Sequence, residues 1–174
     1  VDDNYLSAEG IEKNIDWEAL NAEIIHVCYN GTSAIEAMKK EPADLIISDI
    51  EMPDLDGISM SRQALEINPM VKIILISAYD KFEYARRALL LGALDYIEKP
   101  LDYAYLIQKV KNAFALMEKE QKNLQLLKQS RPLLTEKFFR EITHLPASEA
   151  AYRLKPYLQY LNLKLNYDFY TVVV

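Results

Sequence analysis

"DLIISDIEMPDLDG", residues 44–57, passes from a continuous apolar stretch into a cluster of carboxylates and then to a glycine. Residues 44–48 show no polar alternation, which is how a strand buried on both faces of a parallel sheet reads. Asp56-Gly57 supplies turn chemistry ahead of residues 58–67, whose apolar positions recur with helical spacing. Strand, polar turn and helix in that order form half of a βαβ unit. Residues 71–76 repeat the apolar character, and the runs at 23–29 and 94–97 complete a series of short strands.

Helical patterns alternate with these strands at residues 6–15, 31–40, 58–67 and 81–91, and a long one begins near Asp102. Ala34, Ile35 and Met38 make one buried stripe, and Phe82, Ala85 and Leu89 another. Asn30-Gly31 introduces the second helix, and Asp80 is the expected N-cap of the fourth. Such βαβα alternation predicts a doubly wound parallel sheet with helices on both faces. The pattern also calls for a strand before the first helix, of which only Val1 is present. "VDDN" at residues 1–4 is therefore read as the tip of a first strand whose body is missing from the chain.

The 174 residues are 51% hydrophobic and 26% charged, enough for one well-buried domain and part of a second. A net charge of −6 and a pI near 5.0 argue against a nucleic-acid surface within the chain. Cys28 is the one cysteine, so there is no disulfide framework and no cysteine-based zinc spacing. No apolar run is long enough to span a bilayer and no signal peptide is evident, which predicts a cytoplasmic protein without membrane association. His26 and His144 are solitary, and Tyr152, Tyr157 and Tyr160 follow a packing pattern. Trp17 reads as a packing residue as well.

After residue 100, Ile107, Val110, Phe114, Met117 and Leu124 fit an a/d spacing. Two readings stay open: a helix whose first half packs on the sheet and whose second half is a solvated linker, or a dimer-forming seam. Arg131-Pro132 is expected to break it. An amphipathic segment with Leu134, Phe138 and Ile142, another at 148–161 and a terminal strand-like "DFYTVVV" follow. The expected division is a domain at 1–120, a helical linker at 121–131 and the truncated start of a second region at 132–174.

In an open α/β sheet, ligands sit at the carboxyl ends of the strands. Collected there are Asp2 and Asp3, Asp49, Ser77 and Lys99. Three adjacent carboxylates repel one another, and a hard divalent cation such as Mg²⁺ relieves this while keeping positions for water and a phosphoryl oxygen. Lys99 and Ser77 suit the charge and oxygens of a transferring phosphoryl group, and Asp49 can be the nucleophile that becomes an acyl phosphate. Singly, each residue has a plain alternative: Asp49 as a turn cap, Lys99 as a solvated loop lysine, Ser77 as a routine strand-end hydroxyl. Their shared edge sets them apart.

"VDD", "SDIEMPDLDG", "ISAYD" and "DYIEKP" together resemble the signature segments of bacterial response regulator receiver domains, over about residues 1–120. The resemblance implies a flavodoxin-like five-stranded sheet, with Asp49 accepting phosphate from a sensor histidine kinase. It implies a phosphoacceptor that assists its own phosphorylation and dephosphorylation, not an enzyme of the usual kind. Asp3 would bind Mg²⁺ directly, Asp2 through water, with Asp49 and the Glu51 backbone carbonyl completing the set. Lys99 would pair with the phosphoryl group, Ser77 would hydrogen-bond it, Tyr96 would swing inward as an aromatic switch, and Lys99-Pro100 would be cis. "IDWEAL", residues 15–20, resembles the receivers of AraC-type regulators. This implies transcription control through a DNA-binding C-terminal region absent from the chain, and a homodimer is expected. A phosphorylation-independent dimerisation module and an enzymatic output are the alternatives. A haloacid dehalogenase-type phosphatase fits less well, because its nucleophile belongs on the first strand. Glu51, a carboxylate two residues after the acceptor, is expected to modulate acyl-phosphate lifetime.

Overall fold

The computed structural model of the chain describes residues 1–78 and 82–142. Its elements in order are α1 (Tyr5–Asn14), a short 3₁₀ turn (Glu18–Leu20), α2 (Gly31–Lys40), β1 (Leu45–Asp49), α3 (Gly57–Ile67), β2 (Lys72–Ser77), α4 (Phe82–Leu91), β3 (Asp95–Glu98) and α5 (Tyr103–Ile142). The three strands pair in parallel in the order β1-β2-β3, with Asp49 beside Ile76 and Ser77 beside Glu98. Asp80, residues 148–161, the terminal "DFYTVVV", His144 and Tyr152, Tyr157 and Tyr160 lie outside the described residues.

The chain divides into two compact units, Val1–Leu116 and Met117–Val174. Within the first, both faces of the sheet are covered. Ile73 and Leu75 of β2 join Ala34, Ile35 and Met38 of α2, Ile58, Met60 and Ala64 of α3 and Ala88 of α4 in one core cluster. Ile74 and Ile76, which point the other way, join Ile11, Ile97, Leu106 and Val110 in a second, so α1 and α5 cover the opposite face. This two-sided burial is why β2 carries an unbroken apolar run. Trp17 packs on the second cluster and donates its indole N–H to the Ile11 carbonyl at 3.2 Å.

Local chemistry sets the helix starts. Asn30 accepts from the Ser33 N–H at 2.8 Å, and Asp56 accepts from the Ile58 and Ser59 N–H groups at 2.9 Å. Each satisfies N–H groups that have no partner inside the helix.

Two expectations give way. Residues 22–28 carry no strand, and Ile24 is 36% exposed. A strand needs a neighbour along its length, whereas the backbone beside this segment is the start of the chain, which contributes one bond, Asp2 N–H to the Cys28 carbonyl at 3.1 Å. Val1 in turn pairs with β1, its carbonyl accepting from the Asp49 N–H at 2.8 Å. Nor does Pro132 end α5, which continues to Ile142. An internal proline removes one hydrogen bond and costs about 3 kcal/mol. The run of Leu, Lys, Gln and Glu around Pro132 favours helix strongly enough to carry it through.

In the first unit, α5 buries Leu106, Val110 and Ala113, with Ile107 and Phe114 packed partly against the second cluster. The a/d residues nearest the sheet are therefore core. In the second unit, Leu124, Leu126 and Leu127 are exposed.

Candidate functional site

Parallel register brings the strand ends together. Asp49 closes β1, Ser77 closes β2, and Lys99 follows β3, its backbone N–H donating to the Ser77 carbonyl at 2.8 Å. Hydrogen bonds from Val1 and Asp2 to β1 and Cys28 hold the start of the chain at the same edge. One carboxylate oxygen from each of Asp2, Asp3 and Asp49 lies within 4.8 Å of the others. Asp2 and Asp49 are buried, while Asp3 is exposed.

Lys99 joins the two buried acids. Its Nζ donates to Asp2 Oδ2 at 2.8 Å and to Asp49 Oδ2 at 2.5 Å. Burial opposes the lysine charge, but the hydrogen bonds to Asp2 and Asp49 and their negative charges outweigh it and hold the ammonium above the ordinary lysine range. The second oxygen of Asp2 accepts from the Asn4 N–H at 2.9 Å, and that of Asp49 from the Glu51 N–H at 3.1 Å.

Gly57 allows this geometry. The first turn of α3 lies so close to the end of β1 that a Cβ on Gly57 would overlap the Asp49 carbonyl oxygen and crowd Ile50 Cα. The Gly57 N–H donates to the Ile50 carbonyl at 2.8 Å, tying the helix start to the acceptor segment. Asp56 caps that helix. Burial raises the Asp56 pKa, but bonds from the Ser59 N–H, the Ser59 hydroxyl and the Ile58 N–H outweigh it and leave the carboxyl below its ordinary value.

Ser77 is fully buried at the end of the central strand. Tyr96 pairs with Leu75 in the ladder and is half-buried against the larger core cluster. The Lys99-Pro100 bond is cis. All the strand-end groups singled out from the sequence therefore gather at one edge, with Tyr96 inside the adjacent strand. Two residues have roles at the site that the sequence does not signal. Gly57 was read as turn chemistry alone. Tyr84 of α4 donates its hydroxyl to Glu51 Oε1 at 3.1 Å and faces a cleft beside the acceptor together with Arg87. Its helical spacing carries no sign of that contact, because the partner lies 33 residues away.

Three clustered carboxylates offer hard oxygen ligands suited to Mg²⁺, and the neighbouring ammonium suits an incoming phosphoryl oxygen.

Residues 1–111 match the family described as the response regulator receiver domain. The chain is 29% identical over 120 residues to the uncharacterized transcriptional regulatory protein YesN of Bacillus subtilis, covering 69% of this chain and 33% of YesN. It thus spans about a third of that relative's length. Among solved structures, the REC domain of AraT, a response regulator from Geobacillus stearothermophilus, superposes with a TM-score of 0.65 at 34% identity, over 69% of this chain and 93% of that one. A two component transcriptional regulator AraC from Clostridium phytofermentans gives 0.62 at 30% identity, over 70% and 94%.

Proposed function

The chain belongs to the response regulator receiver domain family through residues 1–111, and from that premise we propose that Asp49 is its phosphoacceptor, charged by the phosphohistidine of a sensor kinase. The observation that carries this is Lys99 Nζ bridging Asp2 and Asp49 beside the exposed Asp3. An Asp49 carboxylate oxygen attacks phosphorus in line. The P–N bond to the donor imidazole breaks, the ring nitrogen keeps the electron pair and takes up a proton, and an acyl phosphate remains on Asp49.

Mg²⁺ held at this edge would offset charge on the transferring phosphoryl group. Asp3 and Asp49 would supply direct ligands, together with the Glu51 backbone carbonyl. Asp2, as the resemblance to receiver domains implies, would bind it through water while keeping its bonds to the Asn4 N–H and Lys99. Lys99 can follow the charge from the carboxylate to the phosphoryl oxygens without leaving the edge. Ser77 would hydrogen-bond the phosphoryl group, and Tyr96 would move inward behind it. That rearrangement is a population shift between two states of the domain, favoured by charge that only one of them satisfies.

Several of the relatives with which the chain aligns are named transcriptional regulatory proteins, and another is named a chemotaxis protein. By analogy, the receiver, taken as residues 1–120, would control transcription through a DNA-binding region beyond this chain, as a homodimer in the cytoplasm. The test is incubation of the 174-residue chain with Mg²⁺ and acetyl phosphate, followed by intact-mass measurement. A gain of one phosphoryl group in the wild type, abolished by Asp49→Asn and by chelation of the metal, is the expected result. A wild type that gains nothing overturns the reading.

A further inference from the structure

The phosphoacceptor role leaves one wall of the neighbouring cleft without a task. That wall is α4, whose Tyr84 and Arg87 line the cleft together with Glu51 and Asp56 of the β1–α3 loop. Glu51 touches both sides. Its backbone N–H donates to Asp49 Oδ1 at 3.1 Å, and its side-chain Oε1 accepts from the Tyr84 hydroxyl at 3.1 Å. A single residue therefore connects the acceptor carboxylate to a helix distant in sequence.

The position of that hydroxyl is set by packing. Tyr84 is half-buried against the larger core cluster, and Ala88, one turn further along α4, is buried in the same cluster. Arg87 lines the same cleft, and its charge favours the ionised form of the Asp56 carboxyl.

We propose that the Tyr84–Glu51 hydrogen bond is a latch that holds α4 against the acceptor loop, and that phosphorylation of Asp49 releases it. The inference rests on the phosphoacceptor reading of Asp49. A phosphoryl group brings bulk and added negative charge next to Glu51, whose main chain is bonded to the acceptor itself. Like charges repel most strongly where water is partly excluded. The Glu51 carboxylate can relieve that repulsion by turning into water, and in doing so it leaves the Tyr84 hydroxyl. Losing the bond costs α4 that hydrogen-bonded tie to the loop, while its apolar packing keeps it folded. Tyr84 is thus a positioning residue that acts through Glu51.

The test is hydrogen–deuterium exchange of the α4 amides in the full chain, for the wild type, Tyr84→Phe, Glu51→Ala and the double variant. Without a phosphodonor, each single variant should exchange about fivefold faster in α4 than the wild type, the ratio that corresponds to a net hydrogen bond of about 1 kcal/mol. The double variant should be no faster than either single one, because both remove the same bond. Glu51→Gln, which keeps an accepting oxygen, should restore slow exchange. With Mg²⁺ and acetyl phosphate, the phosphorylated wild type should reach the rate of Tyr84→Phe, which itself should change little. The latch is overturned if Tyr84→Phe exchanges like the wild type, if the two substitutions add, or if the phosphorylated wild type keeps α4 fully protected. If the wild type acquires no phosphoryl mass, the phosphoacceptor reading fails separately, and the donor-free comparison of the four proteins alone decides whether the latch exists.

Discussion

Lys99 Nζ reaches Asp49 Oδ2 at 2.5 Å across 50 residues of sequence, and the same ammonium holds Asp2 at 2.8 Å. Two buried carboxylates share one cation. Removing that cation leaves both charges uncompensated in a site largely closed to water.

Lys99→Ala should therefore lower stability by on the order of 2 kcal/mol, read from the urea midpoint. Mg²⁺ should restore more stability to the variant than it adds to the wild type, because the unneutralised acids attract it more strongly. Phosphorylation from acetyl phosphate should fall by roughly 100-fold, since a preplaced charge is lost from the transition state. The sign of the pH effect follows from the raised lysine pKa. The contribution of Lys99 is complete below its ordinary value of 10.5 and disappears as the pH climbs through the higher folded value. The difference between wild type and variant should be flat around neutrality and shrink only in strong base.

Asp56 predicts the opposite limb. Its folded pKa lies below the ordinary 3.8, so its stabilisation is present above that value and is lost as the pH falls through the folded one. Asp56→Ala should cost about 1 kcal/mol at neutral pH, the usual worth of an N-cap. Acid titration of both proteins by circular dichroism should show the gap closing below pH 3.8. A gap that persists unchanged in acid would show that the charge of Asp56 contributes nothing.

The legible parts of this fold were those decided by nearest neighbours in sequence. β1 and β2 could be read because burial on both faces leaves no polar alternation, and the starts of α2 and α3 because Asn30-Gly31 and Asp56-Gly57 mark a turn within their own stretch of chain. Once those strands and the run at 94–97 were aligned, their ends delivered Asp49, Ser77 and Lys99 to one place. Residues 23–29 misled for a converse reason: their composition suits a strand, but a strand exists only with a partner along its length. Pro132 misled because a local penalty was set against a long run of good helix formers. The close approach of Gly57 to Asp49 and the bond of Tyr84 to Glu51 were hidden, since both are properties of packed elements.

The two metal-edge aspartates should separate by burial. Asp3 is exposed, so Asp3→Asn should leave the urea midpoint within about 0.5 kcal/mol of the wild type while abolishing Mg²⁺-dependent phosphorylation. Asp2 is buried with Lys99 and the Asn4 N–H as its partners, and Asp2→Asn should lower stability as well. Equal stability losses in both variants would contradict this division of labour.

Gly57→Ala sets backbone against backbone. A Cβ at this position meets the carbonyl of Asp49 and the Cα of Ile50, neither of which can rotate aside as a side chain could. Relief requires moving α3 away from β1 or displacing the acceptor. The expected cost is about 1–3 kcal/mol, the range for overpacking. Phosphorylation should fall by a further factor, because the carboxylate no longer meets Lys99 and the Glu51 N–H in register. Gly92→Ala is the control. Gly92 has φ +88° and nothing within 4 Å of an added Cβ, so its penalty is conformational, about 1–2 kcal/mol, and is confined to the turn between α4 and β3. The two variants should therefore lose similar stability, but only Gly57→Ala should lose phosphorylation at a temperature where both are folded. If Gly57→Ala accepts phosphate at the wild-type rate, the close approach of α3 plays no part in placing Asp49.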